Sequence, residues 1–279
     1  MVTGLRQEVM PVELREYLFA PLAGHILAFA ITARERGIFS GAARLTRVAG
    51  ELGLEVTWAA PEGYPLETGS CLFRARGEAP AIIRAEEMLL GVIGKPSGVA
   101  TAAANFVRQA GGRIKVVCGA WKKVAPEIRD ELRRAIATGG AGIRITERPF
   151  IYLDKNYVRL LGGVEPAVSR ARAYDQERVI AVQVRGEGRP IAGEAEAAVR
   201  AGAGIIMVDT GLLEDLATVV TAAQQGGWRE KVKLAFAGGV TPAGLEEVIA
   251  AGADIVDVGR AIIDAPLLDL SLDVEGISV

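Results

Sequence analysis

The stretch AFAGGVTPAGLEEVIAAGADIVDVGRAII, residues 235–263, carries two glycine-bearing strand ends with one helix between them. The first strand, residues 233–236, runs into Gly238 and Gly239. Because glycine has no Cβ, an anion can approach the backbone amides closely at these two positions. The pattern therefore predicts a phosphate-binding turn at the end of a strand.

The residues that follow extend this prediction. Thr241 is expected to cap a helix with Pro242 in its first turn, and a helix N-terminus favours an anion. The second strand, residues 254–258, ends at Gly259 and Arg260. In many (β/α) barrels the loops after the last strands form a phosphate site. The two turns together predict such a phosphate site. The alternative is that both turns are ordinary connections between a helix and a strand and bind no ligand.

The chain from residue 111 to residue 279 alternates apolar strands with amphipathic helices, which is typical of buried parallel strands. Two segments repeat the same pattern, AVRAGAGIIMVDTG (198–211) and EVIAAGADIVDVGR (247–260), and each reads as one helix-to-strand step of a barrel. The predicted strands are residues 114–118, 142–146, 150–153, 179–184, 204–208, 232–236 and 254–258.

Residues 1–110 follow a different pattern. We expect a helix over residues 28–48, short segments separated by the turn signals APEGYP (60–65) and ETGS (67–70), and a helix from about residue 81 to 110 that is interrupted near Lys95 and Pro96. This pattern predicts a smaller α/β domain. The domain boundary is placed at Gly111, which separates domains 1–110 and 111–279.

Composition excludes several classes of function. Half of the 279 residues are apolar, so a large core is expected. The 32 Lys and Arg residues are balanced by 34 Asp and Glu residues, so no basic surface for nucleic acid is expected. Cys71 and Cys118 lack the spacing of metal ligands, and His25 is the only histidine. His25 is expected in a core or an interface. Carboxylates, lysines, arginines and backbone amides must therefore carry any chemistry.

The apolar run over residues 18–32 is too short to cross a bilayer, and the charged residues Glu13 and Glu16 precede it. Neither a membrane span nor a signal peptide is predicted. The expected location is the cytoplasm.

Charged side chains follow several predicted strands at the edge where the phosphate site is expected. Asp209 follows strand 204–208 and could hold a divalent cation or a sugar hydroxyl, or cap a helix. Lys122 and Lys123 follow strand 114–118 and could reach the same edge, or form a solvated pair.

Polar side chains also occur within one predicted strand and directly after another. Arg144 falls inside an apolar strand, so a ligand or a structural carboxylate is expected beside it. Asp154, Lys155 and Asn156 close the strand 150–153, where they could pair with one another without touching a ligand.

Nearly the whole chain resembles the type II phosphoribosyltransferases, that is, quinolinate phosphoribosyltransferase (nicotinate-nucleotide pyrophosphorylase) and its nicotinate phosphoribosyltransferase relatives. The motifs are individually weak and specific as a series. They are TARERGIFSG (32–41), AEEMLLGVIGKPSGVAT (85–101), the KK..P element (122–126), GG..IR (139–144), IMVD (206–209), AGGVTP (237–242), DIVDVGRAI (254–262) and LLDLSL (267–272).

This resemblance implies an N-terminal α/β sandwich domain, an incomplete C-terminal (β/α) TIM-like barrel, and a homodimer or higher homo-oligomer in which the partner completes each site. It implies a pentosyltransferase of NAD biosynthesis or salvage that transfers phosphoribose from PRPP, with Mg²⁺, to a pyridine nitrogen. Gly238, Gly239 and Gly259 match the family positions that bind the 5-phosphate. Asp209 matches the aspartate for ribose or metal, and Lys123 matches the lysine of the TRKTTP motif.

The acceptor end departs from the family pattern. Arg144 matches a family arginine. The positions where the family carries arginine, arginine, histidine, lysine and glutamate are occupied here by Glu87, Lys122, Ile143, Asp154 and Gln183, respectively. The resemblance implies that Glu87, Lys122, Arg144, Asp154 and Gln183 contact a substrate.

Each charge-assisted hydrogen bond to a carboxylate contributes about 1.5–3 kcal/mol, so these changes predict that quinolinate is a poor acceptor. Three possibilities stay open for the sequence. They are a pyridine acceptor with one carboxylate, a neutral or cationic heteroaromatic acceptor, and a non-catalytic regulatory protein that binds phosphate compounds.

Overall fold

The computed structural model describes residues 13–275, which form two compact units. The first unit ends at Gly94 and resumes at Leu268, and the second runs from Lys95 to Leu267. The predicted boundary at Gly111 differs from this division. The structural boundary falls inside a long helix, where composition gives no signal, and the C-terminal segment returns to the first unit.

The described residues form β-strands, α-helices and three short 3₁₀ helices. The strands are β1 (Leu27–Ala33), β2 (Gly37–Ile38), β3 (Glu55–Ala59), β4 (Pro65–Leu66), β5 (Cys71–Gly77), β6 (Lys115–Val117), β7 (Phe150–Leu153), β8 (Val179–Val184), β9 (Ile205–Val208), β10 (Lys233–Ala237), β11 (Ile255–Asp257) and β12 (Leu270–Glu275). The helices are α1 (Leu14–Phe19), α2 (Ala42–Glu51), α3 (Ala79–Ala110), α4 (Pro126–Thr138), α5 (Lys155–Leu160), α6 (Val164–Tyr174), α7 (Ile191–Arg200), α8 (Leu213–Gln225), α9 (Leu245–Ala250) and α10 (Arg260–Ile263). The 3₁₀ helices are Ala20–Leu22, Ala120–Lys123 and Arg229–Lys231.

An antiparallel sheet of order β12-β1-β5-β3 forms the first unit with its helices. The side chains of Phe29, Ile31 and Phe73 are fully buried in its core. The predicted helix over residues 28–48 is wrong, because this segment forms β1, β2 and α2. Phe29, Ile31 and Ala33, at every second position, belong to one core cluster, and aromatic and β-branched residues such as the first two favour a strand. His25 is exposed and lies outside any helix, so its predicted place in a core is wrong, while its place in an interface stays a prediction.

Helix α3 continues through Pro96, so the predicted interruption near Lys95 is also wrong. A proline inside a helix removes one backbone hydrogen bond and crowds the preceding turn. The neighbouring apolar side chains of Ile93 and Val99 are fully buried, and their packing offsets that cost.

A parallel sheet of order β6-β11-β10-β9-β8-β7 forms the second unit, in the curved arrangement of an incomplete barrel. Its central strands are almost continuously buried, as expected for strands covered on both faces. The predicted strand at 142–146 is reduced to a single bridge between Gly142 and Val117. The carboxyl ends of the parallel strands share one edge, and most predicted site residues follow these ends. Among residues 13–275, no helix is long and apolar enough to cross a membrane.

Candidate active site

A cleft of about 770 Å³ lies at the carboxyl ends of the parallel strands of the second unit. It brings together side chains and turns from all six strands of the sheet or the segments after them. Of the residues predicted from the sequence, it is lined by Lys122, Lys123, Asp154, Gln183, Asp209, Gly238, Gly239, Gly259 and Arg260.

The turns Gly238, Gly239 and Gly259 form one side of the cleft, which we call the glycine end. Gly238 and Gly239 have φ angles of 119° and 70°, a region that favours glycine. A Cβ on Gly238 would lie 2.5 Å from the Cα of Gly211, whereas one on Gly239 would meet nothing within 4 Å. Gly238 is therefore required by packing against the neighbouring loop, and Gly239 leaves open space.

The helix after the glycine end begins later than the sequence predicts. Helix α9 starts at Leu245, and Thr241 instead closes a turn in which its Oγ1 accepts the Gly244 N–H at 3.2 Å. Thr241 satisfies a backbone donor as predicted, but it does so in the turn before the helix. At Gly259 a Cβ would lie 3.7 Å from Ala120 Cβ, an ordinary contact.

The exposed side chain of Arg260 lines the cleft. Its Nε lies 3.2 Å from Asp264 Oδ2, in an ion pair of residues one helical turn apart. Surface pairs of this type contribute at most about 1 kcal/mol, so a ligand anion can displace Asp264 at little cost.

Lys122 and Lys123 occupy the 3₁₀ turn after β6 and are exposed to the cleft. Lys122 Nζ lies 5.6 Å from the centroid of the Tyr152 ring, a distance at which a cation and a ring attract each other. The turn therefore presents two ammonium groups to an anion in the cleft.

Asp209 does not cap a helix, because α8 begins at Leu213. Its Oδ2 accepts a hydrogen bond from Arg185 Nη1 at 3.1 Å, and Arg185 also donates to the Asp209 carbonyl. Arg185 Nε lies 3.3 Å from Glu187 Oε1. No group of three or more His, Cys, Asp and Glu side chains within residues 13–275 is arranged to hold a metal ion.

Asp154 and Gln183 have local structural partners. Asp154 Oδ1 accepts the N–H groups of Asn156 and Tyr157 at 2.8 and 3.3 Å and thereby caps α5. Gln183 Oε1 accepts the Lys155 N–H at 2.7 Å, and Gln183 Nε2 donates to the Tyr152 hydroxyl at 3.2 Å. Residues 154–156 do interact with one another, as predicted, but the interaction is a helix cap in which the Asp154 side chain accepts backbone N–H groups.

Asp257 and Tyr152 also line the cleft and were not predicted from the sequence. Desolvation raises the pKa of the Asp257 carboxyl, while the Gly119 N–H at 2.9 Å and the charge of Lys122 act in the opposite direction. Burial likewise raises the pKa of the Tyr152 hydroxyl, which therefore stays protonated near neutral pH. Side chains alternate along β11, so Asp257 lies on the same face of the sheet as Ile255. This alternation is the sequence signal that could have identified Asp257 as a lining residue.

A second cavity of about 390 Å³ adjoins the cleft, and we call it the side pocket. The cleft and the side pocket share Gly119, Lys122, Tyr152 and Asp257 as lining residues. The remaining lining residues are Val117, Trp121, Arg133, Ile143, Arg144, Ile145 and Phe150.

Arg144 is placed in the side pocket and not in the cleft. The prediction of a buried arginine in a strand is wrong, because Arg144 is exposed in an irregular segment. Trp121 and Arg133 also line this pocket and were not predicted from the sequence. They add an aromatic ring and a second guanidinium to that of Arg144. A cavity lined by aromatic rings and cations suits a flat, anionic ligand.

Glu87 belongs to the first unit, on α3, and is exposed. Its Oε1 lies 2.7 Å from Arg15 Nη2 in the same unit. The ion pair gives Glu87 a local partner, and its predicted role in substrate binding stays a prediction.

The cleft and the side pocket lie at the carboxyl edge of a parallel barrel sheet, which is where enzymes built on (β/α) barrels carry their active sites. The chain matches the family model described as "Quinolinate phosphoribosyl transferase, N-terminal domain" over residues 20–97, and the corresponding "C-terminal domain" over residues 99–273. The chain belongs to this family. It is an enzyme of the phosphoribosyltransferase type, in a family of NAD biosynthesis.

Individual relatives agree with this assignment. A nicotinate-nucleotide pyrophosphorylase (carboxylating) of Archaeoglobus fulgidus, so named as probable, is 31% identical over 216 residues, covering 76% of this chain and 81% of that protein. A Rhodobacter capsulatus protein with the name "Putative pyrophosphorylase ModD" is 31% identical over 221 residues, covering 76% of this chain and 82% of that protein. The crystal structure of nicotinate-nucleotide pyrophosphorylase from Pyrococcus furiosus superposes with a TM-score of 0.82 at 21% identity, covering 94% of this chain and 73% of that one.

These comparisons confirm the fold class, the α/β sandwich domain followed by an incomplete (β/α) barrel, and the predicted enzyme class. They do not favour a non-catalytic protein or a neutral heteroaromatic acceptor. The expectation that quinolinate is a poor acceptor finds no support, since both family models are those of quinolinate phosphoribosyl transferases.

Proposed function

We propose that the protein transfers phosphoribose from PRPP to the ring nitrogen of a pyridine carboxylate, with quinolinate as the acceptor. The observation that carries this proposal is the shared wall of Gly119, Lys122, Tyr152 and Asp257 between the glycine-lined cleft and the cationic side pocket. A donor in the cleft and an acceptor in the side pocket would meet at this wall.

The glycine end binds the 5-phosphate of PRPP through backbone N–H groups of the turns at Gly238, Gly239 and Gly259. Positive φ angles at two of these glycines support this role, because such turns can aim successive amides at one anion. Arg260 adds a cation at the same end.

Lys123, with Lys122 beside it, binds the pyrophosphate that departs. The C1–O bond of PRPP breaks toward an oxocarbenium-like state, so positive charge develops on the ribose and negative charge on the departing pyrophosphate. An exposed pair of ammonium groups on a short turn supports this role, since it can follow the leaving oxygens without rearranging the sheet. Arg144 binds a carboxylate of the acceptor and orients its ring nitrogen toward C1.

Mg²⁺ is expected to enter with PRPP. This ion retains several waters and is usually held by one or two carboxylates together with substrate phosphates. Asp209 is the proposed carboxylate in this cleft, with Asp257 lining the same space. The ion would neutralise phosphate charge. Asp209 also receives a hydrogen bond from Arg185, which fixes the direction of the carboxylate.

The test is a turnover assay with PRPP, Mg²⁺ and a panel of quinolinate, nicotinate and neutral azoles, with the mononucleotide detected by mass spectrometry and pyrophosphate measured in parallel. Quinolinate-dependent mononucleotide is the expected result. PRPP binding by calorimetry without product from any acceptor would contradict the proposed reaction, and absence of PRPP binding would contradict the assignment of the glycine end.

The resemblance also implies a homodimer or higher homo-oligomer, and we propose this assembly for the protein. Light scattering at several concentrations measures it directly. A monomer at the concentrations that support turnover would exclude a contribution of a second copy to the site.

A further inference from the structure

Helix α4 presents one arginine to the side pocket and its neighbour to solvent. Arg133 is half-buried, with 30% of its side chain exposed, and it lines the side pocket. Arg134 is exposed and lines neither the cleft nor the side pocket. The two residues differ in orientation because Arg133 lies one turn before the face of Ile136, a fully buried residue.

The Arg133 guanidinium is held in place by stacking. Its Cζ lies 4.6 Å from the centroid of the Trp121 ring. The indole itself is fixed, because Trp121 Nε1 donates to the Ile143 carbonyl at 3.2 Å. Arginine is well suited to such stacking, because its planar group keeps its donors free in the plane while its face contacts the ring.

The hydrogen bonds of Arg133 leave capacity for a ligand. Nη1 donates to Asp130 Oδ1 at 3.3 Å, and the Asp130 side chain is 81% exposed, so this pair is weak. Arg133 Nε is buried, and within residues 13–275 it has no hydrogen-bond partner. Because Nε is closed to solvent, a ligand in the side pocket can reach Arg133 through the terminal nitrogens of its guanidinium, Nη1 and Nη2.

The charge of the side pocket favours an anionic ligand. Lys122, Arg133 and Arg144 are cationic, and Asp257 is the one carboxylate among the side-pocket residues. A ligand with two adjacent carboxylates would balance this excess and supply acceptors for both guanidinium groups. The positions Glu87 and Asp154 carry no cation, so the positive charge needed for a dicarboxylate comes from a different element, helix α4.

We infer that Arg133, held by Trp121, is a specificity-determining residue that binds a carboxylate of the acceptor. This inference rests on the proposed function and adds a second guanidinium to the one assigned to Arg144. It also explains how this chain could bind a dicarboxylate although Glu87 and Asp154 replace two cations of the family pattern.

The test compares Arg133→Gln, Arg133→Lys and the control Arg134→Gln in the intact protein. A lost charge-assisted hydrogen bond predicts a KM for quinolinate about 10- to 100-fold higher in Arg133→Gln, with the KM for PRPP changed less than about twofold. Arg133→Lys should recover part of the loss, because it restores the charge without the planar donors. Arg134→Gln should match the wild type.

Direct binding separates this inference from the proposed reaction. Titration of quinolinate into wild type and Arg133→Gln, followed by calorimetry and by tryptophan fluorescence, to which Trp121 contributes, requires no turnover. Weaker binding to Arg133→Gln supports the inference even if no mononucleotide forms. Equal binding to both proteins, no binding to the wild type, or an equal rise of the PRPP KM in the variant would overturn it.

Discussion

The glycine end and the side pocket adjoin each other, yet they are built from different parts of the chain. At the glycine end the turns of Gly238 and Gly239 provide main-chain groups at the ends of strands. The side pocket is built from long side chains, with Trp121 stacked on Arg133 and Arg144 nearby in an irregular segment. One region depends on backbone conformation and the other on how distant segments pack.

This difference predicts different sensitivities. A backbone site is lost when the chain cannot adopt its φ angles, so its mutations should affect folding and phosphate binding together. A side-chain site can lose one partner while the fold remains, so its mutations should affect the KM of one substrate.

The largest effect is expected for Gly238→Ala. A positive φ costs a non-glycine residue roughly 1–2 kcal/mol and overpacking adds about 1–3 kcal/mol. The new Cβ would lie 2.5 Å from Gly211 Cα, so both costs apply. Chemical denaturation should show a loss of about 3 kcal/mol or more. Gly239→Ala is the control, since its Cβ meets nothing within 4 Å, and it should lose only about 1–2 kcal/mol. Equal losses would show that packing against Gly211 is unimportant.

The next effect is on catalysis at the leaving group. Lys123→Met retains the aliphatic stem of an exposed side chain, so stability should change by less than about 0.5 kcal/mol. Loss of a cation that stabilises the departing pyrophosphate should lower kcat about 100-fold. Steady-state kinetics with saturating PRPP measures this effect.

Lys155→Met is the matched control for Lys123→Met, because Lys155 also lines the cleft but uses its backbone N–H to bond Gln183. Its kcat should change less than about threefold. If both variants lost the same activity, general positive potential in the cleft would explain the effect better than a specific role of Lys123.

The sequence was sufficient to predict most of the glycine end. The turns at Gly238 and Gly259 follow apolar strands directly, so local order along the chain already places them at one edge of the sheet. The reason for Gly238 was less accessible, because its neighbour Gly211 follows a different strand. The start of α9 was predicted too early for a similar reason, since Thr241 can close a turn or cap a helix with the same hydrogen bond.

The side pocket could not be predicted to the same extent. Arg133 sits in a helix with several charged residues, and its position beside Trp121 depends on how α4 packs against the turn at 120–123. Arg144 lies in a segment whose apolar residues suggest a strand but which makes only one bridge, at Gly142. In the first unit, the short apolar run of β1 fits the period of a helix as well as that of a strand, and the sequence therefore predicts a helix there.

A smaller effect is expected when the stack in the side pocket is removed. Trp121→Leu loses both the ring beneath Arg133 and the hydrogen bond to the Ile143 carbonyl, whereas Trp121→Phe keeps a ring. A cation–π contact contributes about 0.5–2 kcal/mol, so the KM for quinolinate should rise up to about 30-fold in Trp121→Leu and less in Trp121→Phe. Initial rates at fixed PRPP provide the comparison. A larger rise in Trp121→Phe than in Trp121→Leu would be inconsistent with stacking.

The smallest effect concerns Asp257, which lies on the wall shared by the cleft and the side pocket. Desolvation raises its pKa in the folded protein above the usual value of 3.8. Between the unfolded and folded pKa values the folded state therefore binds more protons, and the free energy of unfolding falls as the pH rises through that window. Asp257→Asn cannot titrate, and its amide oxygen can still accept the Gly119 N–H.

The Asp257→Asn variant should consequently be more stable than the wild type at pH 7, and the difference should shrink as the pH falls toward 3.8. Urea denaturation of both proteins over this pH range tests the sign. Equal stability of the two proteins at every pH would mean that water reaches the carboxylate from the side pocket, and the wall between the two regions would then be solvated. A difference that persists unchanged at low pH would point instead to a packing effect of the amide.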